Sequence, residues 1–445
     1  MRHSSKNAKQ TKKSGPRETV ELEVTSLTHG GSGVAHIEIK GERRAVFVER
    51  SAPGDRAELL VDFSARPARG TITQLSTRSP HRIDSPCPVS ETCGGCDFMH
   101  LNPEYAFAAL TDLVRTALPE AYRGAPVSTH RSPVHLGYRS RVRVHVSAKR
   151  GSVDIGMHAA RSHAIVTTDA CVVLEPTIDE ARRELGPLLA DCELTGEASL
   201  ALGAFDSEGT QKPVCDLSFR GELAPSFFKN AEAAVARGRF AGIRAYDPDS
   251  KRPLEIGDST PWITGADGQP MKLGKGGFAQ ANLAVNRELA ARVVELAKSV
   301  IPLESTVLEL YAGAGNLSVM LAPHYALPSI ESSEEACQSA RENLAARGLR
   351  AKVTAGDAAT LKLPPGTGLV VLDPPRTGAR EVATQLAQMS RPPAVLYVSC
   401  DAPSLGRDLA ILEAAGFQML HIDTFEMFPR TSHVETLVLL KKPRK

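Results

Sequence analysis

The sequence predicts an α/β protein in three parts: an N-terminal OB-like β-barrel, a mixed β-rich middle domain, and a C-terminal doubly wound sheet of Rossmann-like type. Three observations carry this. Residues 20–75 hold closely spaced short apolar runs punctuated by His29-Gly30-Gly31-Ser32-Gly33 and Pro53-Gly54-Asp55. From about residue 276 strands and helices alternate, the signature of parallel crossovers. Between them the periodicity is weak, with many Pro, Gly and Asp separating short apolar runs.

In order along the chain, residues 1–17 carry six Lys or Arg and no acid and read as a disordered basic arm. No apolar core follows, so the arm is not a secretory signal, although a short organellar transit peptide stays open. Strands are expected over 20–27, 45–49, 56–63 and 70–75, giving a barrel domain over 18–76. The middle domain spans 77–275, and one segment in it, 103–118, has helical spacing and is free to pack elsewhere. In the domain over 276–445, strands are expected at 306–310, near Glu331, and over 351–354, 368–372, 394–399, 417–425 and 434–440, with helices at 333–347 and 403–415.

The 445 residues are 42% hydrophobic and 23% charged, which suits a soluble chain with ample core, and no run approaches the roughly 18 apolar residues of a membrane span. A cytoplasmic monomer is expected. Net charge is only +2, yet no acid occurs between Arg123 and Asp154. There Arg139, Arg141, Arg143 and His145 alternate with smaller residues, reading as a strand with one basic face that suits a phosphate backbone, or as an edge strand that uses charge against aggregation.

Eight cysteines divide unevenly. Cys87, Cys93 and Cys96 form C-x5-C-G-G-C, and Cys171 follows alone; in a chain without a secretory signal this reads as a thiolate-ligated metal site. Spacing alone leaves zinc and an iron–sulfur cluster equally open. Cys192, Cys215 and Cys337 read as buried thiols. Cys400 ends the apolar run 394–398, at the carboxyl end of a strand, where doubly wound sheets bind ligands. A thiolate there is a nucleophile, and the same residue as core filler is the plain alternative.

Tyr311-Ala312-Gly313-Ala314-Gly315-Asn316 forms a strand-to-helix turn whose glycines let backbone approach a nucleotide. It lacks the third glycine of the dinucleotide fingerprint, which favours an adenosyl ligand. Glu331, about 20 residues on, suits ribose hydroxyls. Asp357 is placed for an adenine edge or for capping a helix.

Taken together these residues resemble the S-adenosylmethionine-dependent RNA uracil-5 methyltransferases. The resemblance rests on Gly30-Gly31-Ser32-Gly33 in a TRAM-like barrel, on the cysteine pattern with Asp169-Ala170-Cys171, and on Gly137-Tyr138-Arg139 and Phe278-Ala279-Gln280-Ala281-Asn282. It rests further on Asp373-Pro374-Pro375-Arg376, Ser399-Cys400 and His433-Val434-Glu435, in that order. It implies a [4Fe–4S] cluster on Cys87, Cys93, Cys96 and Cys171. It implies S-adenosylmethionine held by Gln280, Tyr311, Gly313, Gly315, Asn316, Glu331, Asp357 and Asp373. Catalysis falls to Cys400, which adds to uracil C6, and to Glu435, which removes the C5 proton. Phe278, Arg376 and Asp373 are implied to meet the target base, which must leave its stack.

The chain departs from the family's common pattern at Tyr311, where an aromatic ring is kept, and at Asp401-Ala402-Pro403 after the nucleophile; neither removes a catalytic atom. An RNA cytosine-5 enzyme would carry a cysteine where Arg376 stands. A non-catalytic RNA-binding or redox-sensing protein is opposed by the intact Cys400, Glu435 and Gln280. Ribosomal RNA is the expected substrate, in particular 23S RNA, with the T-loop of transfer RNA as the alternative. Because the cysteine cluster lies far in sequence from Cys400, it is expected to serve RNA binding or folding rather than the chemistry.

Overall fold

The computed structural model describes residues 17–249, 252–360 and 362–443. The basic arm, apart from Arg17, and the last two residues of the basic tail lie outside these. The strands Arg17–Leu27, Gly33–Ile39, Glu42–Val48, Arg56–Asp62 and Ala68–Thr77 close into a five-stranded barrel. In Arg56–Asp62 alternation puts Ala57, Leu59 and Val61 inside against Ala35, Val46 and Val48, with charged residues out. The strand Gly33–Ile39 has no counterpart in the sequence reading, because its His36 and Glu38 break the apolar run. Asp55, fully buried, ties the barrel to the next segment: it accepts from the Ala52 and Ser79 amides at 2.6 and 3.0 Å and from Arg82.

The middle of the chain builds a seven-stranded sheet that runs from Leu254–Gly257 at one edge to Ile165–Thr167 at the other. Its strand Val142–Lys149 turns Val142, Val144, Val146 and Ala148 onto the helices Pro176–Leu189 and Pro225–Ala236. Only Arg143 and His145 of the expected basic face lie on this strand. Arg139 and Arg141 precede it, and Arg141 donates at 2.7 Å to the Gly277 carbonyl, so the stripe is shorter than its spacing suggests.

The C-terminal sheet has eight strands. Lys352–Ala355, Pro328–Glu331, Thr306–Leu310, Thr367–Leu372 and Ala394–Ser399 run parallel, and Glu435–Lys441 and Gln418–Phe425 follow antiparallel. The eighth strand, Ser128–His130, comes from the segment assigned to the middle domain. Likewise the helix Pro103–Ala117, capped by Asn102, buries Phe107, Leu110 and Val114 in the core of this sheet beside Leu405 and Leu409. The division at 77 and 275 therefore does not describe the packing: residues 103–130 belong to the C-terminal layer. His130 fastens the edge, with Nε2 2.9 Å from the buried Asp423 carboxylate that Arg292 also meets at 3.0 Å. Among the described residues no helix is long and apolar enough to cross a membrane.

Candidate active site

Functional side chains gather at the carboxyl ends of the central parallel strands, where crossovers to helices leave a crevice. Strand Ala394–Ser399 is buried throughout, and the next residue, Cys400, is half-buried. Asp401 then caps the helix Ala402–Ala414, accepting from the Ser404 amide at 2.8 Å, so the chain turns sharply away and leaves the thiol at the strand's end. The neighbouring antiparallel strand pairs Thr436 with Ser399, which sets Glu435 beside Cys400. Asp373 ends strand Thr367–Leu372 and enters the Pro374-Pro375 turn that carries Arg376. One hydrogen bond joins the Asp373–Arg376 motif to the His433–Glu435 motif: Arg376 Nη2 lies 3.2 Å from His433 Nε2. A guanidinium only donates, so Nε2 accepts and this imidazole is neutral.

Burial dominates the electrostatics. The Cys400 thiol is pushed up to about 12 by burial and by the Glu435 charge, against which Arg376 acts. Glu435 rises from 4.5 to about 8 through burial and then Asp373, and Asp373 itself from 3.8 to about 7 through burial. The resting site is therefore a protonated thiol among carboxyls that ionise near neutrality. Folding raises these acids, so the native state binds more protons than the unfolded chain above about pH 4.5. Their contribution to stability is complete at low pH and lost as pH rises through 7 to 8. The urea midpoint of Glu435→Gln should accordingly fall less between pH 5 and 8.5 than that of the unaltered protein; equal slopes would contradict the assignment.

The glycine turn is built as expected. Gly313 (φ +56°) and Gly315 (φ +91°) take left-handed backbone, and a Cβ at Gly313 would meet only open space, the side from which a ligand can approach. Tyr311 shares this conformation at φ +64°, unusual for a bulky side chain and typical of ligand sites. Glu331 accepts from the Gly313 amide at 3.0 Å and from Ser333 at 2.8 Å, locking the turn. Gln280 is buried with Oε1 unpaired among the described residues, an acceptor that awaits a donor. Asn316 is engaged with Asn286 in a reciprocal amide pair at 2.9 and 2.8 Å. Asp357 accepts from the Ala359 amide at 2.9 Å, the capping role. Phe278 stands 74% exposed on the loop before Gln280, held from below by Arg141.

Two contributors escaped the sequence reading. Glu309, fully buried, accepts from Ser318 and Ser329 at 2.5 and 2.8 Å and is pushed up to about 7 by burial; an acid inside an apolar strand just before the glycine turn was the available signal. His29 of the barrel is held below the ordinary imidazole range by burial, with the Asp401 charge acting the other way.

Cys87, Cys93, Cys96 and Cys171 line one apolar cavity, where Cys96 is pushed up to about 12 by burial and then by Cys171 and Cys93. Among the described residues no three His, Cys, Asp or Glu side chains converge as a ready metal-ligand group. Four part-buried cysteines around one cavity nonetheless have the donor chemistry of a thiolate-ligated centre. Cys192, Cys215 and Cys337 are buried.

Residues 366–443 match the family described as tRNA (Uracil-5-)-methyltransferase, and 275–391 the methyltransferase small domain. A 23S rRNA (uracil(1939)-C(5))-methyltransferase, RlmD, of Marinomonas sp. (strain MWYL1) is 30% identical over 453 residues, covering 97% of this chain and 96% of the relative. The chain belongs to the RNA uracil-5-methyltransferase family. An RlmD of Pectobacterium carotovorum is likewise 30% identical, over 96% of this chain and 95% of its own. The solved Pyrococcus abyssi tRNA (uracil-54, C5)-methyltransferase in complex with S-adenosyl-L-homocysteine shares the fold, with TM-score 0.72 and 23% identity over 95% of this chain and all of its own. The enzyme is thus an S-adenosylmethionine-dependent RNA uracil-5-methyltransferase.

Proposed function

We propose that this enzyme methylates C5 of a uridine in 23S ribosomal RNA through a covalent bond between Cys400 and C6, with Glu435 as the base. The observation that supports this best is the meeting of Cys400 and Glu435 at one end of paired strands, with Asp373 and Arg376 around them. Cys400 loses its proton to solvent and attacks as thiolate, a form that the Arg376 charge favours, and its addition to C6 places electron density on C5 and the carbonyl oxygen. Arg376 stabilises that density. S-adenosylmethionine supplies, when bound, an electrophilic methyl group on a sulfonium. Glu435 then takes the proton from C5, the ring double bond re-forms, and the C6–S bond breaks to free Cys400.

Gln280, Tyr311, Gly313, Gly315, Asn316, Glu331, Asp357 and Asp373 hold the cofactor on this reading, with Phe278, Arg376 and Asp373 against the base. The four cysteines carry a [4Fe–4S] cluster, and the barrel is OB-like and contacts RNA. Choice of 23S RNA follows the names of the full-length relatives, whereas the tRNA enzyme is a likeness of fold. Labelled S-adenosylmethionine offered with ribosomal and transfer RNA from a host lacking the enzyme should yield 5-methyluridine in 23S RNA alone. Label confined to transfer RNA would overturn the substrate assignment.

A further inference from the structure

The segment after the last close-set cysteine is bonded directly to the loop that delivers His433 and Glu435. Asp97 Oδ2 accepts from the Ser432 amide at 2.8 Å, and the Phe98 amide donates to the Arg430 carbonyl at 2.9 Å. Arg430 in return donates to the Leu101 carbonyl at 3.1 Å, and the Tyr138 hydroxyl holds the Pro429 carbonyl at 3.1 Å. Arg430 has left-handed backbone, φ +70°, a conformation that persists in a non-glycine residue only where its surroundings fix it. These contacts come from residues adjoining Cys96 on one side and the Gly137-Tyr138-Arg139 motif on the other. The expected distance between the cysteine segment and the chemistry holds only in sequence.

A third element closes the joint. At Gly31 of the barrel, φ +80°, a Cβ would lie 2.7 Å from Asp97 Cβ and 3.2 Å from Ser432 Cβ, so glycine is required there. The barrel turn thus packs on the Asp97–Ser432 contact. Ser432 is largely buried, so leaving its amide without the Asp97 acceptor is costly. Next in the chain, His433 donates its amide to Thr431 Oγ1 and holds Arg376, and two residues further stands Glu435.

We propose that Asp97 is a positioning residue for the reaction. By accepting the Ser432 amide it sets the loop from Phe428 to Glu435, and through it the Arg376–His433 pair and the carboxylate that removes the C5 proton. This rests on the covalent reading above for the step affected, but not for the existence of the effect. Removing the acceptor leaves RNA and cofactor binding in place and slows the turnover steps that depend on this loop, resolution of the adduct above all.

The test uses the full chain purified without oxygen and compares Asp97→Ala, Asp97→Asn and Gly31→Ala. Asp97→Ala should lower kcat about 10- to 100-fold with KM for an RNA fragment within about twofold, since misplacing reacting groups by about 1 Å costs up to about 100-fold. Rapid quenching should show adduct accumulating before release. Asp97→Asn should restore most of the rate, because its amide oxygen accepts the same bond. Gly31→Ala, which forces a methyl group against Asp97, should reproduce the kcat loss and keeps the test usable if Asp97→Ala does not fold. Unchanged kcat in Asp97→Ala or Gly31→Ala, or Asp97→Asn as slow as Asp97→Ala, would overturn the positioning role. Absence of any adduct in the unaltered enzyme would instead defeat the covalent reading, with the kcat comparison still deciding the role of Asp97.

Discussion

Cys400→Ala should abolish methyl transfer, with a loss on the order of 10⁴- to 10⁶-fold in kcat, the range seen when a covalent nucleophile is removed. The lower figure corresponds to about 5.5 kcal/mol of transition-state stabilisation. Uracil C5 is a weak nucleophile until something adds at C6, and among the described residues at the carboxyl ends of these strands Cys400 is the thiol half-open to the crevice. The fold should be unaffected, because the side chain is small and sits beyond the strand's last buried residue. Affinity for S-adenosylmethionine should be unchanged, since Cys400 is not among the residues proposed to hold it. Denaturing gels should show no RNA-linked protein. Residual turnover within tenfold of the unaltered enzyme would remove Cys400 from the mechanism.

Glu435→Gln has the second largest expected effect and the opposite signature. Methylation should proceed once, while release falls about 10²- to 10⁴-fold, the usual value of a positioned base. The electrostatics work in the same direction. Above about pH 8, where Glu435 is charged, that charge raises the Cys400 thiol, so a neutral amide there makes the thiolate easier to reach and the adduct easier to form. RNA-linked protein should accumulate to near stoichiometry. In the unaltered enzyme the release step should quicken as pH rises through about 8, where Glu435 ionises, and this dependence should vanish in Glu435→Gln.

Most of the C-terminal sheet was legible because its strands are short, mostly apolar runs that end just before a chemically distinctive feature: Leu310 before the glycine turn, Leu372 before Asp373, Ser399 before Cys400. The motif order pointed to residues that the structure brings together, Cys400, Glu435, Asp373 and Arg376. What sequence could not place was long-range pairing. Ser128–His130 joins the C-terminal sheet through three residues, too few for any periodicity, and is fixed by contacts with Asp423 and Phe425 almost 300 positions away. Asp97 and Ser432 are joined by one side-chain-to-amide bond across 335 positions, which neither residue type signals. Arg141 looked like one tooth of a basic stripe, and only the structure turns it inward to brace the Phe278 loop. Buried carboxyls were half visible. Glu309 interrupts an apolar strand and could have been singled out, whereas the rise of Glu435 and Asp373 depends on how many layers cover them.

The central claim is a bond from Cys400 to the base that is made before, and broken after, methyl transfer. The most direct measurement is proteolysis and mass analysis of the RNA-linked species formed by Glu435→Gln with S-adenosylmethionine and a 23S RNA fragment. The account predicts a single nucleotide-bearing peptide, linked through Cys400, whose uracil carries the new methyl group and still retains the C5 hydrogen. Freely released methylated RNA without such a peptide, or a linkage through any other residue, would contradict it.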